Sequence, residues 1–578
     1  MPPSSNKRKM GLPLPSSSSS PPSSSPYRLI PLLLLLPCAF YLSFPQTLPT
    51  ISLPSLSHSC HDSFDSPLSG HRLAACPKQV DPLNKGDSWE PSQDKSYVKK
   101  AVERLRGAVK IRTESFDDMK HTPSEEPRFD VMKDLHEYLE ETFPKVYEKL
   151  QVEKVQEYGL LITWKGKDES LKPVVLMAHQ DTVPVPQSTE SQWTYPPFSA
   201  HLDDDQWIWG RGVADCKNTL IGIFSTFDKL LEEENYTPER TIILSSGFDE
   251  EIGGSRSAAY LARKLESRYG HNGISFILDE GFTGVDEEYG QKFVRFGLGE
   301  KGAVNLKLEV FTKGGHSSVP LGKHTGIGIL AKLLVGLEDH PDEVRLREGN
   351  PMLSYLNCAA DFGDMDKGLK RRVRNEKKWK ELGEELADSD PILRSFLSTS
   401  QAIDLVNGGV KVNALPEYST ATINYRIDFL SSVNSTLERI SSILSPIVSS
   451  LNLTYSAYDT SFDIASPPNN HVRLSVVEGS EIEPAPLTPT EGKVWELMSG
   501  TARHVFEDSI VAPSAMIANT DTKWSWNLTR NIYRFVPAPL SLIKNFHTVD
   551  ERMHVDAHLS SIKFFYKLIK NTEGWEAE

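Results

Sequence analysis

Pro173-Val-Val-Leu-Met-Ala-His179-Gln-Asp181 begins as an unbroken apolar run and ends in two polar residues of metal-binding type. A run without alternation is the pattern of a strand covered on both faces, as in the middle of a parallel sheet. His179 and Asp181 are two apart, so on a strand they point to the same face. Two further runs end in the same way: Thr241-Ile-Ile-Leu-Ser-Ser246 leads to Phe248-Asp-Glu250-Glu251-Ile-Gly-Gly254, and Ile274-Ser-Phe-Ile-Leu278 leads to Asp279-Glu280-Gly281. Helical spacing over 219–233 and 257–269 separates them. The alternation predicts an α/β domain with helices on both faces of a mostly parallel sheet, and the C-terminal ends of its strands are where such sheets place their sites.

Working outward, the pattern changes near Gly302. Ala303-Val-Asn-Leu-Lys-Leu-Glu-Val-Phe-Thr312 and Ser419-Thr-Ala-Thr-Ile-Asn-Tyr-Arg-Ile-Asp428 alternate as half-exposed strands, with helical spacing over 325–337 and 436–444. They predict an inserted α+β unit, a lid and possible dimerisation domain, over 302–466. The catalytic domain then occupies 96–301 and 467–578. The charged stretch 365–386 reads as a solvated surface insertion. The total of 578 residues agrees with two folded domains plus unstructured sequence.

The first hundred residues differ in kind. A Ser/Pro-rich tail over 1–28 carries Lys7, Arg8 and Lys9, and an uncharged apolar run over 29–44 follows it. That run reads as an uncleaved signal anchor, with a cleaved signal or a plain apolar linker as alternatives. The basic residues before it place the tail in the cytosol and the remainder in a lumen or outside. Residues 45–95 read as a linker. Of five cysteines, Cys60 and Cys76 flank a short loop and are candidates to pair. Asn235, Asn434, Asn452 and Asn527 begin N-x-S/T sequons, which agree with a lumenal address. A net charge of -15 with a pI near 5.6 excludes nucleic acid as a partner.

Each polar island also has a plain reading. His-x-Asp arises by chance, Asp215 in Gly210-Arg-Gly-Val-Ala-Asp215 suits a turn capping a helix, and Glu250-Glu251 suits a solvated acidic turn. Taken together they supply a two-metal hydrolase. Asp215 would bridge two ions, Glu251 would be a ligand, and Glu250 the general base toward water acidified by metal. Asp181 is better placed to orient the His179 ring than to bind metal itself. His554 and His558 stand at helical spacing but lack the Glu of H-E-x-x-H, and read as surface histidines.

The ordered series His179-x-Asp181, Gly-Arg-Gly-x-x-Asp215-x-Lys, Asp249-Glu250-Glu251-x-Gly-Gly and Gly314-Gly-His316-Ser-Ser resembles the co-catalytic zinc peptidase family that includes aminoacylase, glutamate carboxypeptidase and succinyl-diaminopimelate desuccinylase. Trp193-Thr-Tyr-Pro-Pro-Phe-Ser199 and Asp215-Cys-Lys-Asn218 bring it nearest the fungal vacuolar carboxypeptidases of that family. The resemblance spans about 95–578. It implies two zinc ions held by His179, Asp215, Glu251, Asp279 or its neighbour Glu280, and His547. It also implies a cis peptide after Asp215, and His316 as a lid histidine that stabilises the oxyanion. Asn413 and Arg426 would hold the substrate, the guanidinium forking onto an α-carboxylate. The expected activity is hydrolysis of small peptides with a free C-terminus in a vacuolar lumen, or outside the cell if the chain is secreted. An N-acyl-amino-acid hydrolase or synthase using the same site is the alternative, and a non-catalytic binding protein would require a missing ligand or base.

Overall fold

In the computed structural model the described residues are 75–576, apart from 86–87, 234–235 and 321. The catalytic part opens with α1 (Lys95–Val109), α2 (Val131–Thr142), β1 (Gln151–Val155), β2 (Gly159–Trp164), β3 (Val174–Met177), α3 (Asn218–Glu232), β4 (Ile242–Ser246), α4 (Ala258–Tyr269), β5 (Phe276–Asp279) and β6 (Gln291–Glu300). Next come β7 (Gly302–Phe311), α5 (Gly326–Glu338), α6 (Pro351–Phe362), β8 (Ser400–Gly408), β9 (Tyr418–Ile427), α7 (Val433–Ser450), β10 (Thr454–Ala457) and β11 (His471–Val476). The chain closes with α8 (Gly492–Val505), β12 (Ser509–Met516), β13 (Ile532–Arg534) and α9 (Val555–Asn571).

The main sheet has the order β1-β2-β4-β3-β5-β13-β6-β12, with Val285–Glu288 hairpinned onto β6. Its centre is parallel, β3 lying between β4 and β5 with β13 beyond. The flanks depart from the expected parallel pattern, since β1, β2 and β4 pair antiparallel and β13 meets β6 antiparallel. β3 is buried at every position, as its unbroken apolar run requires, and α3 lies in the same core through Leu220, Ile223, Phe224 and Phe227. Because β3, β4 and β5 run the same way, their C-terminal ends bring His179, Glu250 and Asp279 to one edge.

The lid is a second sheet, β8-β9-β7-β11-β10, antiparallel except between β10 and β11. Alternate residues Val304, Leu306, Leu308 and Val310 of β7 share a core with Leu333 and Leu337 of α5 and Ile440 and Leu444 of α7. Its limits differ from the expected 302–466 in two ways. β11 belongs to the lid sheet, carrying it to Val476. Residues 344–397 instead pack on the main sheet, where Leu353, Leu356, Val373 and Leu382 share a core with Phe293, Ile510 and Ala512. The charged stretch therefore forms amphipathic helices, Lys367–Val373 and Trp379–Ser389, whose sparse apolar positions were hidden among lysines and arginines.

The N-terminal expectations meet three corrections. Cys76 is bonded to Cys358 of α6 and not to Cys60, because the fold brings their Cα atoms to 4.6 Å across 282 residues of chain. The end of the expected linker is also part of the fold: Gln79 exchanges hydrogen bonds with the Val511 backbone along the sheet edge, and Leu83 N donates to Gly500 O. The expected single-pass anchor is not supported: among the described residues no helix is long and apolar enough to cross a membrane. The 29–44 run lies outside the described residues; it is shorter than the ~20 residues of a spanning helix and carries Pro31 and Pro37.

Candidate functional site

His179 and Asp181 leave the end of β3 fully buried. The His179 ring presents Nδ1 to the Asp181 carbonyl at 3.0 Å and Nε2 to Asp215 Oδ1 at 2.9 Å. Asp181 accepts the Ser115 hydroxyl at 2.6 Å and the backbone amides of Glu250 and Glu251 at 3.1 Å each. It orients the His ring and pins the acidic turn, which leaves both of its oxygens occupied. Between the two, Gln180 donates to the Tyr158 and Ser246 carbonyls and meets the buried His136 ring at 2.8 Å, so the whole tripeptide is locked.

Asp215 sits in the turn before α3, and the Asp215–Cys216 peptide is cis, as the resemblance implies. Its second oxygen, Oδ2, lies 2.9 Å from Nε2 of His547, and that ring is 3.3 Å from Glu251 Oε1. One carboxylate thus faces two imidazoles, one on each oxygen. His179 with Glu250 and Glu251, and Asp215 with Glu251 and His547, each form a group able to enclose a metal ion, and the Cys216 thiol lies beside His179 and Asp215. The buried thiol is engaged with the His179 backbone at 3.1 Å.

Asp279 ends β5 and Glu280 follows it at the same edge, but both stand outside these tight groups. Asp279 Oδ1 accepts the Glu280 amide at 2.8 Å, while its buried Oδ2 has no hydrogen-bond partner. Burial pushes the Asp279 carboxyl up to about 6. Burial, then Asp215 and Asp279 beside it, pushes Glu280 well above the usual carboxylate range. Burial also raises Glu250 strongly, with Asp521, Glu251 and Glu280 adding to it against the pull of His179. Glu250, Glu251, Asp279 and Glu280 are crowded together with no Lys or Arg ion pair on any of them among the described residues. Such crowding is stable when cations occupy the centre, and the oxygen and imidazole donors match divalent ions of the zinc type. The orphaned Asp279 oxygen is a further donor of the same kind. The residues present therefore fit a dinuclear centre.

Among the described residues none of the lid residues shares a hydrogen bond or ion pair with this centre. His316 is exposed in a two-residue strand paired with Ala414, its Nδ1 on the Ser318 hydroxyl at 2.7 Å. Asn413 is exposed beside it, its carbonyl accepting the Ser317 amide. Arg426 lies at the far end of β9, where Nη1 donates to Asn519 Oδ1 at 3.0 Å. Ten residues of extended strand separate the two ends, roughly 30 Å. His558 is corrected: it is fully buried, its Nδ1 2.7 Å from Asn218 Oδ1, and burial holds its pKa down at about 3. His554 caps α9 by accepting the Asp556 amide.

Sequence reasoning missed the supports. Glu551, fully buried, pairs with Arg211 at 2.6 Å and accepts the Ala214 and Asp215 amides at 2.9 and 3.4 Å. It joins the bridging turn to the strand that follows His547. The signal was present in Gly210-Arg211-Gly212, since an arginine in a tight turn beside a buried site requires an anion. Nothing in a single sequence marks Ser115 or His136.

Comparison with protein families matches residues 175–571 to the peptidase family M20/M25/M40. Carboxypeptidase S of Saccharomyces cerevisiae is 40% identical over 499 residues, covering 83% of this chain and 86% of its own length. The N-fatty-acyl-amino acid synthase/hydrolase PM20D1 of Mus musculus is 31% identical over 504 residues, covering 85% and 92%. Among solved structures, the M20 metallo-carboxypeptidase Sso-CP2 of Sulfolobus solfataricus aligns with a TM-score of 0.55 at 18% identity, covering 81% of this chain and 98% of that one. Human carnosine dipeptidase 1 aligns at 0.56 with 15% identity, covering 82% and 96%. A domain with the buried two-imidazole centre described above, matched in this way over most of its length, belongs to the M20/M25/M40 peptidase family.

Proposed function

We propose that this chain is a zinc-dependent carboxypeptidase that hydrolyses small peptides with a free C-terminal carboxylate. The observation that carries the reading is Asp215, each of whose oxygens faces a different imidazole at 2.9 Å. His179, Asp215, Glu251, His547 and the Asp279-Glu280 pair would hold two zinc ions, which supply Lewis acidity toward a carbonyl and lower the pKa of water. Glu250 projects from the Asp181-pinned turn without serving as bridge, and it takes the proton from attacking water and returns it to the leaving amine. Arg426 holds the substrate carboxylate in a fork.

We also propose that the lid carries a second copy of the chain. β8 is a sheet edge, and Val406, Val410 and Val412 beside it are 57%, 101% and 100% exposed, with Ile327 and Val335 of α5 at 45% and 51%. An uncovered apolar edge strand favours pairing with its own copy about a two-fold axis. His316 is exposed beside this edge and its ring is hydrogen-bonded only to Ser318 among the described residues, which supports its serving as oxyanion donor to the centre of the second copy.

A panel of dipeptides, C-amidated dipeptides and N-acyl amino acids tests the substrate class. Turnover of free dipeptides with loss on amidation is expected. The likeness to the murine synthase/hydrolase supports a second reading, which turnover confined to N-acyl amino acids would establish in place of the first.

A further inference from the structure

The loop between β12 and β13, Asn519-Thr-Asp521-Thr-Lys-Trp524, supplies neither ligand nor base to the chemistry above, yet it is anchored with unusual completeness. Thr520 gives both its amide and its hydroxyl to Glu300 Oε1, at 3.0 and 2.6 Å, and Thr522 gives its hydroxyl to the same oxygen at 3.0 Å. Glu300 is itself paired with Arg534 at 3.1 Å, both side chains wholly buried. From this fixed middle the loop reaches two ways.

One arm reaches the turn that bears the base. Gly247 and Gly254 bracket Asp249-Glu250-Glu251, and the Asp521 carboxylate occupies the space their missing side chains leave. A Cβ on Gly254 would fall 2.0 Å from Asp521 Oδ1, and one on Gly247 would fall 2.7 Å from Oδ2. Gly254 has φ +66, which glycine adopts without steric cost. Trp524 Nε1 donates to the Gly253 carbonyl at 3.2 Å. Asp521 is buried, and its Oδ1 has no hydrogen-bond donor. Its carboxyl group fills the gap between the two glycines, so the shape of this side chain sets how the turn between them lies.

The other arm reaches the lid. Asn519 accepts from Arg426 of β9 and donates to the Lys301 carbonyl at 2.7 Å. Lys301 is the single residue between β6 of the main sheet and β7 of the lid, so this contact falls on the crossing point itself.

We propose that Asp521 is a positioning residue that fixes the Gly247–Gly254 turn and thereby aims Glu250, and that Asn519 on the same loop ties this turn to the lid crossing. Lid orientation and base placement are then coupled through six residues. The inference rests on Glu250 being the base.

The test uses the full chain with metal bound, read by steady-state kinetics and by hydrogen exchange of the 247–254 amides. Asp521→Ala lowers kcat by roughly 100-fold with KM within about twofold, the signature of a misplaced catalytic group. Asp521→Asn, which keeps the shape, returns kcat to within about fivefold of wild type. Both Asp521→Ala and Asn519→Ala raise exchange across 247–254 by about tenfold, although Asn519 does not touch that turn. An Asp521→Ala enzyme within about threefold of wild-type kcat, or an Asp521→Asn enzyme no better than it, overturns the positioning role. If the alanine variant does not fold, Asn519→Ala decides: unchanged exchange at 247–254 overturns the link to the lid. Exchange is read without turnover, so an active Glu250→Gln enzyme would remove the base assignment while leaving the fixing of the turn intact.

Discussion

The metal centre and the lid's contribution to the site are built on opposite plans. At the centre His179, Asp181, Asp215 and Asp279 are buried, and supports hold the frame: Asp181 by Ser115 and two backbone amides, and the Asp215 turn by Glu551 with Arg211. On the lid, His316 and Asn413 are exposed, and an edge strand beside them displays bare valines. A buried, pre-organised centre needs no rearrangement at the moment of reaction. An exposed histidine must be carried to its substrate by another body, whether by lid closure or by a second subunit. The difference separates a part whose chemistry is built within one fold from a part that, on the proposal above, is completed by a second copy.

The contrast can be broken most sharply at Glu250. Glu250→Gln lowers kcat by roughly 10³-fold while metal content measured by atomic emission stays at the wild-type value; near-normal turnover by that variant removes the base. On the lid, His316→Ala costs about 10²-fold in kcat, as loss of one oxyanion donor does. Mixing Glu250→Gln with His316→Ala subunits and letting them exchange sharpens the point. If His316 acts across the interface, half the dimers are mixed and half of their sites are complete, so about a quarter of wild-type activity returns; if it acts within its own chain, none does.

Smaller effects test the supports. Glu551→Ala strands Arg211 in the interior and lowers stability by roughly 3–5 kcal/mol in urea unfolding. Cys358→Ser releases the segment that Cys76 ties to α6 and lowers stability by about 2–4 kcal/mol, with turnover on dipeptides unchanged. The smallest effect is set by pH. His558 is held at about 3 by burial against an ordinary value of 6.5, so between those values the unfolded chain binds the extra proton. Its contribution is full above pH 6.5 and is lost as pH falls toward 3. Replacing His558 by Gln flattens that part of the stability profile, read as the urea midpoint against pH.

What the sequence disclosed follows the same division. β2, β3, β4, α3 and the lid pair β7 and β9 were legible because burial on both faces or strict alternation leaves a strong period, and the islands after β3 and β4 were legible because they follow directly. β8, β11 and β12 were not predicted: β8 is largely exposed and its adjacent Leu405 and Val406 break strict alternation, and β12 is interrupted by Pro513. The helices over 351–397 were hidden because a few buried leucines and valines suffice to seat them among many charges. Cys76–Cys358 was out of reach because a pairing across 282 residues is a property of the tertiary fold, and Ser115 and Glu551 because support of a site leaves no periodic trace.

The central claim is that Asp215, whose two oxygens face His179 and His547, would hold two metal ions that act together. Titrating the chelated protein with zinc while following dipeptide hydrolysis tests it most directly. The account predicts no turnover in the chelated protein and activity that saturates at two equivalents per chain; full turnover without metal, or saturation at one equivalent, would contradict it.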